Sequence, residues 1–381
     1  MRTYQLIWDA SNGWKAYEEE STIQPQWVLF FGQKELLEDG KAIQELMAKF
    51  PDSQIFGCST AGEIIGEEVF DDSIVATAVA FDQTTTQATS IQIKEYATSY
   101  AAGLDLGKQF NPEDLKAIFV ISDGHHVNGS ELVLGMRESL PAEVVITGGL
   151  AGDGGKFEET LVAHNGLPEA GRIAAIGFYG EKIRIGHGSV GGWDTFGPER
   201  MITKSKDNVL YELDGKPALE LYKTYLGEDA ERLPASALEF PLSIRATDQQ
   251  GIGTVRTILS INEEDGSMTF AGNVPEGFVA QLMMASFDQL VTGAADAAKS
   301  IDLSEAKSEG DKLAIMVSCV GRKIVMGQHT PEEVEAVAEI LGPGSQQIGF
   351  YSYGEISPHA ESGFCELHNQ TMTITYLFEA P

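Results

Sequence analysis

The chain has little cysteine, few cations and no long apolar run, and each shortage removes a class of protein. Across 381 residues there are three cysteines, Cys58, Cys319 and Cys365. An odd, widely spaced set without a Cys-x-x-Cys pair supports neither a disulfide framework nor a structural zinc site of that type. It suits free thiols in a reducing cytoplasm. Lysine and arginine number 26 against 57 aspartates and glutamates, a formal charge of −31. Nucleic acid and anionic membrane both need clustered cations, so neither is expected as a partner. No stretch approaches the roughly 20 apolar residues of a membrane helix. Residues 1–20 hold charges and no apolar h-region, so a secretory signal is not expected.

What is present is a globular composition, 43 % hydrophobic and 22 % charged, long enough for two or three domains and a large core. A short phrase is used twice. Ile55-Phe56-Gly57-Cys58-Ser59-Thr60-Ala61-Gly62-Glu63-Ile64 and Ile348-Gly349-Phe350-Tyr351-Ser352-Tyr353-Gly354-Glu355-Ile356 align on Gly-Glu-Ile. They share Gly57/Gly349, a hydroxyl at Thr60/Ser352, and Glu63/Glu355. Each starts as an apolar strand and ends in small residues followed by a carboxylate. Glycine beside the glutamate lets main chain approach a ligand closely, so both loops are expected near whatever is bound.

Strand-helix-strand cycles carry these phrases. Residues 27–32 read as a strand apolar on both faces, 34–50 as a helix by three- and four-residue apolar spacing, and 54–58 as the next strand. A second cycle covers 117–124, 131–140 and 144–149. A third covers 313–318, a helix 332–341 opened by the N-cap Thr330 and Pro331, and 347–351. The pattern predicts an α/β fold of two mixed-sheet domains, with Gly-rich loops gathered at strand C-terminal ends. Strands at 73–81, 89–93, 173–179 and 182–186 read as antiparallel additions. A second composition begins near Lys204, with strands at 208–213, 238–244, 255–261 and 267–270. Asp265-Gly266 is a hairpin turn there, 217–226 a short helix and 275–301 one long helix. The domain boundary falls near Lys216.

Residues 56–64, Asp123-Gly124, Gly148-Gly149-Leu150-Ala151-Gly152-Asp153 and 209–218 resemble the FIST N-terminal domain. Gly272-Asn273-Val274-Pro275-Glu276-Gly277, Ser318-Cys319-Val320-Gly321-Arg322, 349–356 and Leu367-His368-Asn369-Gln370-Thr371 resemble its partner, the FIST C-terminal domain. The likeness spans 24–378 in the expected order, giving an N-terminal-like domain at 24–216 and a C-terminal-like domain at 217–378. It implies a non-enzymatic sensory input protein of bacterial signal transduction that binds a small ligand, amino acids being one class. For standalone two-domain members of this length it also implies a non-covalent haem that senses nitric oxide and signals to a partner histidine kinase. It brings no catalytic residues.

The residues themselves leave several chemistries open. Glu63 and Glu355 could accept hydrogen bonds from a ligand cation or cap a neighbouring turn. Cys58 and Ser59 could serve an acyl-transfer hydrolase, but no base is tied to them. Gly57-x-Ser59-x-Ala61 also misses the last glycine of a nucleophile elbow, so structural hydroxyls at Ser59 and Thr60 are the stronger expectation. Gly186-His187-Gly188-Ser189-Val190-Gly191 spells Gly-x-Gly-x-x-Gly, yet residues 192–198, with two glycines and a proline, cannot open a helix. A loop presenting Trp193 to a ligand is expected there instead of a dinucleotide site. Asp123 sits where a strand enters a polar turn. Arg322 is expected to pair with Glu355 or a ligand carboxylate. Tyr351 and Tyr353 alternate along a strand and so share a face, to stack on a ligand or fill the core. Among seven histidines, His126, His187 and His368 are candidate axial ligands should haem bind without a covalent link.

Overall fold

The computed structural model describes residues 1–233, 235–248, 253–306, 310–359 and 363–380. Its strands fall into three copies of one unit. The first runs β1 (Arg2–Asp9), β2 (Gly13–Ala16), β3 (Trp27–Gly32), α1 (Lys34–Leu37), α2 (Lys41–Lys49), β4 (Gln54–Ser59), β5 (Glu63–Ile65), β6 (Glu68–Phe70) and β7 (Ile74–Ala80). The second runs β8 (Thr85–Gln92), α3 (Ser99–Lys108), β9 (Leu115–Ser122), α4 (Gly129–Ser139), β10 (Val145–Leu150), β11 (Val162–His164) and β12 (Arg172–Tyr179). The third opens with β13 (Ile183–Val190) and is interrupted by a subdomain. That insertion holds β14 (Asp194–Lys206), β15 (Val209–Leu213), β16 (Lys216–Pro217), α5 (Ala218–Leu226), β17 (Leu242–Arg245), β18 (Thr254–Arg256), β19 (Ile258–Asn262), β20 (Ser267–Phe270) and β21 (Val279–Met284). The third unit then resumes with α6 (Phe287–Lys299), β22 (Lys312–Cys319), α7 (Val320–Met326), α8 (Thr330–Leu341), β23 (Ser345–Ser352), β24 (Gly354–Pro358), β25 (Cys365–His368) and β26 (Met372–Glu379).

In every unit the strand-helix-strand cycle makes a parallel pair: β3/β4, β9/β10 and β22/β23. A later strand returns antiparallel beside the first member (β7, β12, β26), and the strand that opened the unit lies beyond it (β1, β8, β13). The strand after each pair leaves for a different sheet. β5 joins β23, β24 joins β10, and β11 joins β4. Five strands of each six-stranded sheet therefore share one order, β11-β4-β3-β7-β1, β24-β10-β9-β12-β8 and β5-β23-β22-β26-β13; the sixth, β2, lies beyond the opening strand in the first sheet, while β25 and β6 lie beyond the donated strand in the other two. Each unit gives a strand to the next around a ring. Lys216 itself lies in the short β16 of the insertion.

Apolar pattern explains the layering. β3, β4, β9 and β22 are buried almost throughout, as strands covered on both faces must be. Inner faces of all three sheets share one core, where Phe31 stacks on Phe350 at 4.4 Å, Phe56 meets Phe119 edge-on and Trp27 meets Phe178 edge-on. Each such side chain contributes roughly 1.5–3 kcal/mol by leaving water. Outer faces lie under helices, with Ile43 and Leu46 of α2, Leu132 and Met136 of α4, and Val334 and Val337 of α8 turned inward. The insertion has its own core around Leu210, Tyr222, Phe270 and Leu282. Among the described residues no helix is long and apolar enough to cross a membrane.

The repeated phrase occurs three times rather than twice. Gly57, Gly148 and Gly349 stand opposite Phe30, Val120 and Met316 on the adjacent parallel strand. A Cβ at each would lie 2.0, 1.8 and 2.1 Å from those residues' carbonyl oxygens. Only a residue without a side chain allows that approach. In units one and three a glutamate comes next. Glu63 accepts the hydroxyls of Thr60 (2.5 Å) and Ser73 (3.0 Å). Glu355 accepts the hydroxyl of Ser352 (2.7 Å) and both the amide and the hydroxyl of Thr371 (3.1 and 3.0 Å). Ser73 and Thr371 immediately precede the return strands β7 and β26. Each carboxylate thus ties the start of a departing strand to the start of the returning one. In unit two Asp123 takes that duty, its Oδ2 accepting from the amide of Gly171 (2.9 Å), just ahead of β12, and from Thr160 (3.0 Å).

Several local expectations are corrected. Residues 275–301 are not one helix: the apolar run Leu282-Met283 lies on β21, paired with β14 and β17, and α6 starts only after Ser286, which forms a capping box with Gln289. The helix expected over 34–50 breaks at Gly40, held at φ 68°. The N-cap of α8 is His329, with Thr330 already helical. The glycine-rich stretch 186–191 is mostly strand β13, where Gly188 admits the carbonyl of Ala297 from α6. The strand expected from 238 begins at Leu242. β1, β2 and α3 were not foreseen, the last because its small residues give a weak amphipathic pattern.

These contacts can be tested by substitution and by pH. Alanine at Gly57, Gly148 or Gly349 should cost about 1–3 kcal/mol in urea unfolding, by forcing parallel strands apart. Gly155, with open space where its Cβ would stand, should tolerate alanine with little change. The buried glutamates should also shape the pH dependence. Burial raises Glu63 to about 7 and Glu355 to about 8 from 4.5, against the pull of their hydrogen bonds. The native state then binds more protons than the unfolded chain, so stability falls as pH rises from about 4.5 to about 8. Urea midpoints of the Glu63→Gln, Glu355→Gln double variant should show a flatter profile across that window than the parent. Identical slopes would contradict the burial account.

Candidate functional site

The parallel pair β9/β10 ends at Ser122 and Leu150, and ligands of α/β folds gather outside such ends. A cavity of about 470 Å³ opens there. One wall is residues 124–128 with Leu150, Phe157 and Tyr353; the other is the insertion, through Asn208, Leu259, Ser260, Thr269 and residues 270–272. Three parts of the chain therefore meet around it: the loops of unit two, Tyr353 from the end of β23 in unit three, and the inserted β-sheet.

Asp123 builds the first wall. It is fully buried, and its Oδ1 accepts the amides of His125 (2.9 Å) and His126 (2.5 Å), turning the chain sharply after β9. His126 Nδ1 lies 3.2 Å from the same oxygen. The two imidazoles pack edge-on at 5.1 Å, and both line the cavity. Asn128 then caps α4 by accepting from Glu131 and donates to Asn273 at 2.9 Å, stitching the helix to the insertion.

Asp153 builds the second part. Its carboxylate accepts amides of Phe157, Glu158 and Glu159, each at 2.9 Å, together with the hydroxyl of Tyr353. Phe157 is held at φ 55°, a region costly for a side chain with a Cβ, and its ring lies flat on Tyr353 at 4.4 Å. Burial and the neighbouring Asp153 push the Tyr353 phenol far up, so it stays a neutral donor. The result is an aromatic plate, two imidazoles and hydroxyl and amide groups facing one space. That lining can stack on a planar group and hydrogen-bond its edge.

Of the residues singled out in the sequence, His126 and Tyr353 line this cavity and Asp123 shapes it. The others lie elsewhere. Cys58 is fully buried in the central core, and burial raises its thiol well above the usual range, against a reactive thiolate. Ser59 accepts the amide of Leu161 at 2.8 Å, and Thr60 serves Glu63. Glu63 and Glu355 are the strand ties described above. Trp193 is buried and donates to the carbonyl of Gln370 at 2.9 Å. Arg322 is paired with Glu333 at 2.7 Å rather than with Glu355, and Tyr351 donates to the same Glu333 at 2.8 Å. Tyr351 and Tyr353 thus serve different partners, because β23 ends between them. His187 lies in β13 opposite Thr375, and burial lowers its pKa. His368 is buried with Nε2 3.0 Å from the Ser357 carbonyl, and burial lowers it to about 4. The cavity's inserted wall was missed: Asn208, Ser260 and Thr269 carry no motif, and only their fold position brings them to the strand ends.

Haem chemistry asks for an axial imidazole with an uncommitted nitrogen and a second nitrogen oriented by a partner. His126 meets that requirement in kind, with Nδ1 beside Asp123 and no partner at Nε2 among the described residues. His368 does not, since its Nε2 is engaged in the interior.

Comparison with known proteins agrees with this architecture. The FIST N domain family matches residues 26–216, and the FIST C domain family matches residues 218–358. An uncharacterized protein of Methanocaldococcus jannaschii is 23 % identical over 333 residues, covering 80 % of this chain and 60 % of that protein. The chain thus spans about three fifths of the length of that curated relative. Together the two matches cover most of the chain, which therefore belongs to the FIST family, a FIST N domain followed by a FIST C domain.

Proposed function

We propose that this protein is a cytoplasmic signal-input protein whose small ligand occupies the cavity between the β9/β10 strand ends and the inserted subdomain. FIST domains are sensory domains of signal transduction that bind small ligands. The observation that carries the reading is the cavity's construction from two separate bodies, the ring of sheets and the insertion, lined by Tyr353, Phe157 and the 125–126 imidazoles. A ligand touching both would favour one relation between them, and a separate partner such as a histidine kinase would read the altered surface. Amino acids and other small molecules that join an apolar or planar body to hydrogen-bonding groups suit this mixed lining. Catalysis finds no support in Cys58 or Ser59: both are buried, burial holds the Cys58 thiol protonated, and the Ser59 hydroxyl is taken by the Leu161 amide.

His126 favours a second reading, in which the ligand is haem and the signal nitric oxide. It would hold the iron through Nε2, with Asp123 orienting the ring.

A thermal-shift screen of amino acids and small metabolites tests the first reading, because selective binding to the folded state raises stability by about 2.7 kcal/mol at a hundredfold excess over Kd. Ser260→Trp, which fills the space from the exposed inserted wall, should abolish the response of any ligand found. A flat response across a broad panel would sink it. For the second reading, protein purified with haem supplied should show a Soret band that moves with nitric oxide and is lost in His126→Ala. A colourless protein removes haem and leaves the small-ligand reading standing.

A further inference from the structure

Asn128 lines the strand-end cavity, and Asn273, to which it is bonded, lines another. This second cavity, of about 270 Å³, lies between α4, the β17–β18 hairpin and β25. Most of its lining is apolar, with Val133, Leu134, Ile244, Phe278 and Leu367 contributing. A single guanidinium stands among them.

Arg256 is only 8 % exposed. Its Nε donates to the Asn273 carbonyl at 3.0 Å, and Nη1 donates to the carbonyls of Val255 (3.2 Å) and Leu367 (2.9 Å). Among the described residues no acceptor meets Nη2, and no carboxylate lies within ion-pair distance of the group. Arg322 shows the contrast: fully buried, it has Nε and Nη2 on Glu333 and further carbonyls on both Nη groups. Burial lowers Arg256 to about 10, which leaves it charged at neutral pH. Glu366 offsets part of the burial cost from beyond contact distance, but a buried charge without a contacting counter-ion remains costly.

The surroundings define what would compensate it. Ser130 lines the same cavity, and Gly272, behind it, is packed against both groups: a Cβ there would stand 3.0 Å from Arg256 Nε and 3.1 Å from Ser130 Oγ. Both side chains meet the backbone of Asn273, Ser130 Oγ by accepting its amide at 3.5 Å and Arg256 Nε by donating to its carbonyl, so the hydroxyl proton is left to donate to an anion held beside the guanidinium. Glu366 also lines the cavity but accepts the Thr254 hydroxyl at 3.1 Å. A second anionic group on the ligand would meet its charge.

We propose that this cavity is a second ligand site, for a small monocarboxylate with an apolar body. The carboxylate takes Arg256 Nη2 and the Ser130 hydroxyl, and the apolar body packs against Val133, Ile244, Phe278 and Leu367. Because Asn273 also bonds Asn128, occupancy here reaches the wall of the strand-end cavity.

Isothermal titration of the full chain with hexanoate, hexanamide and inorganic phosphate tests the site. Hexanoate should bind, and hexanamide, equal in shape without the charge, should bind at least about tenfold more weakly. Phosphate should not displace hexanoate, since it lacks the apolar body. Arg256→Gln should lose binding; as that variant also gives up three carbonyl contacts, Leu134→Trp provides the second arm. Leu134 is 54 % exposed at the rim, so its replacement should block hexanoate while keeping the parent's unfolding midpoint. Absence of heat with hexanoate, equal affinity for hexanamide, full displacement by phosphate or unchanged binding to Leu134→Trp would each overturn the proposal.

Discussion

Three close approaches, glycine on one parallel strand against a carbonyl on the next, set the geometry on which the rest of the molecule depends. At Gly57, Gly148 and Gly349 the missing side chain lets neighbouring strands crowd at the point where the chain is about to leave its sheet. The departing strand then caps the edge of a different sheet, β5 on β23, β24 on β10 and β11 on β4. An edge that would otherwise expose unpaired backbone groups is covered by another unit. Each unit also leaves part of its own sheet to its neighbour. Stability is therefore shared around the ring, and no unit closes its hydrogen bonding alone.

The buried glutamates are a consequence of that exchange. A strand that leaves and a strand that returns begin side by side, with amides and hydroxyls that no ladder satisfies. Glu63 and Glu355 collect those donors. Their burial resists ionisation while the donors favour it, and burial prevails. A carboxylate beside a glycine at a strand end invites a ligand-binding reading, but here the chain itself supplies every partner.

The strand-helix-strand cycles and the apolar parallel strands were legible because each rests on periodicity within a window of a few residues, and the family was legible as a resemblance carried by short Gly-rich motifs. The ring was not. Gly148 was visible, but its phrase lacks the glutamate, so the third copy did not align with the other two. The exchange joins residues as distant as Glu63 and Phe350, and no local pattern encodes such a pairing. The site was legible only in part for the same reason. Asp123, His126 and Tyr353 sit on strand ends that sequence could point to, whereas Ser260 and Thr269 are ordinary hairpin residues until the insertion folds over.

The cavity lies where the repeat breaks its own rule. In units one and three the departing strand starts almost at once, β5 after β4 and β24 after β23. In unit two residues 151–161 intervene before β11, and no glutamate stands at the tie. Asp123 assumes the tie from the other strand of the pair, and in doing so shapes the turn that carries His125 and His126. The freed segment folds around Asp153 and places Phe157 against Tyr353. Unit three breaks the pattern as well, by accepting the insertion between β13 and α6, and that insertion roofs the same strand ends. Two independent departures from a threefold plan converge on one place. A chain that only had to close the ring had no need of either, which is the structural reason to seek the ligand there.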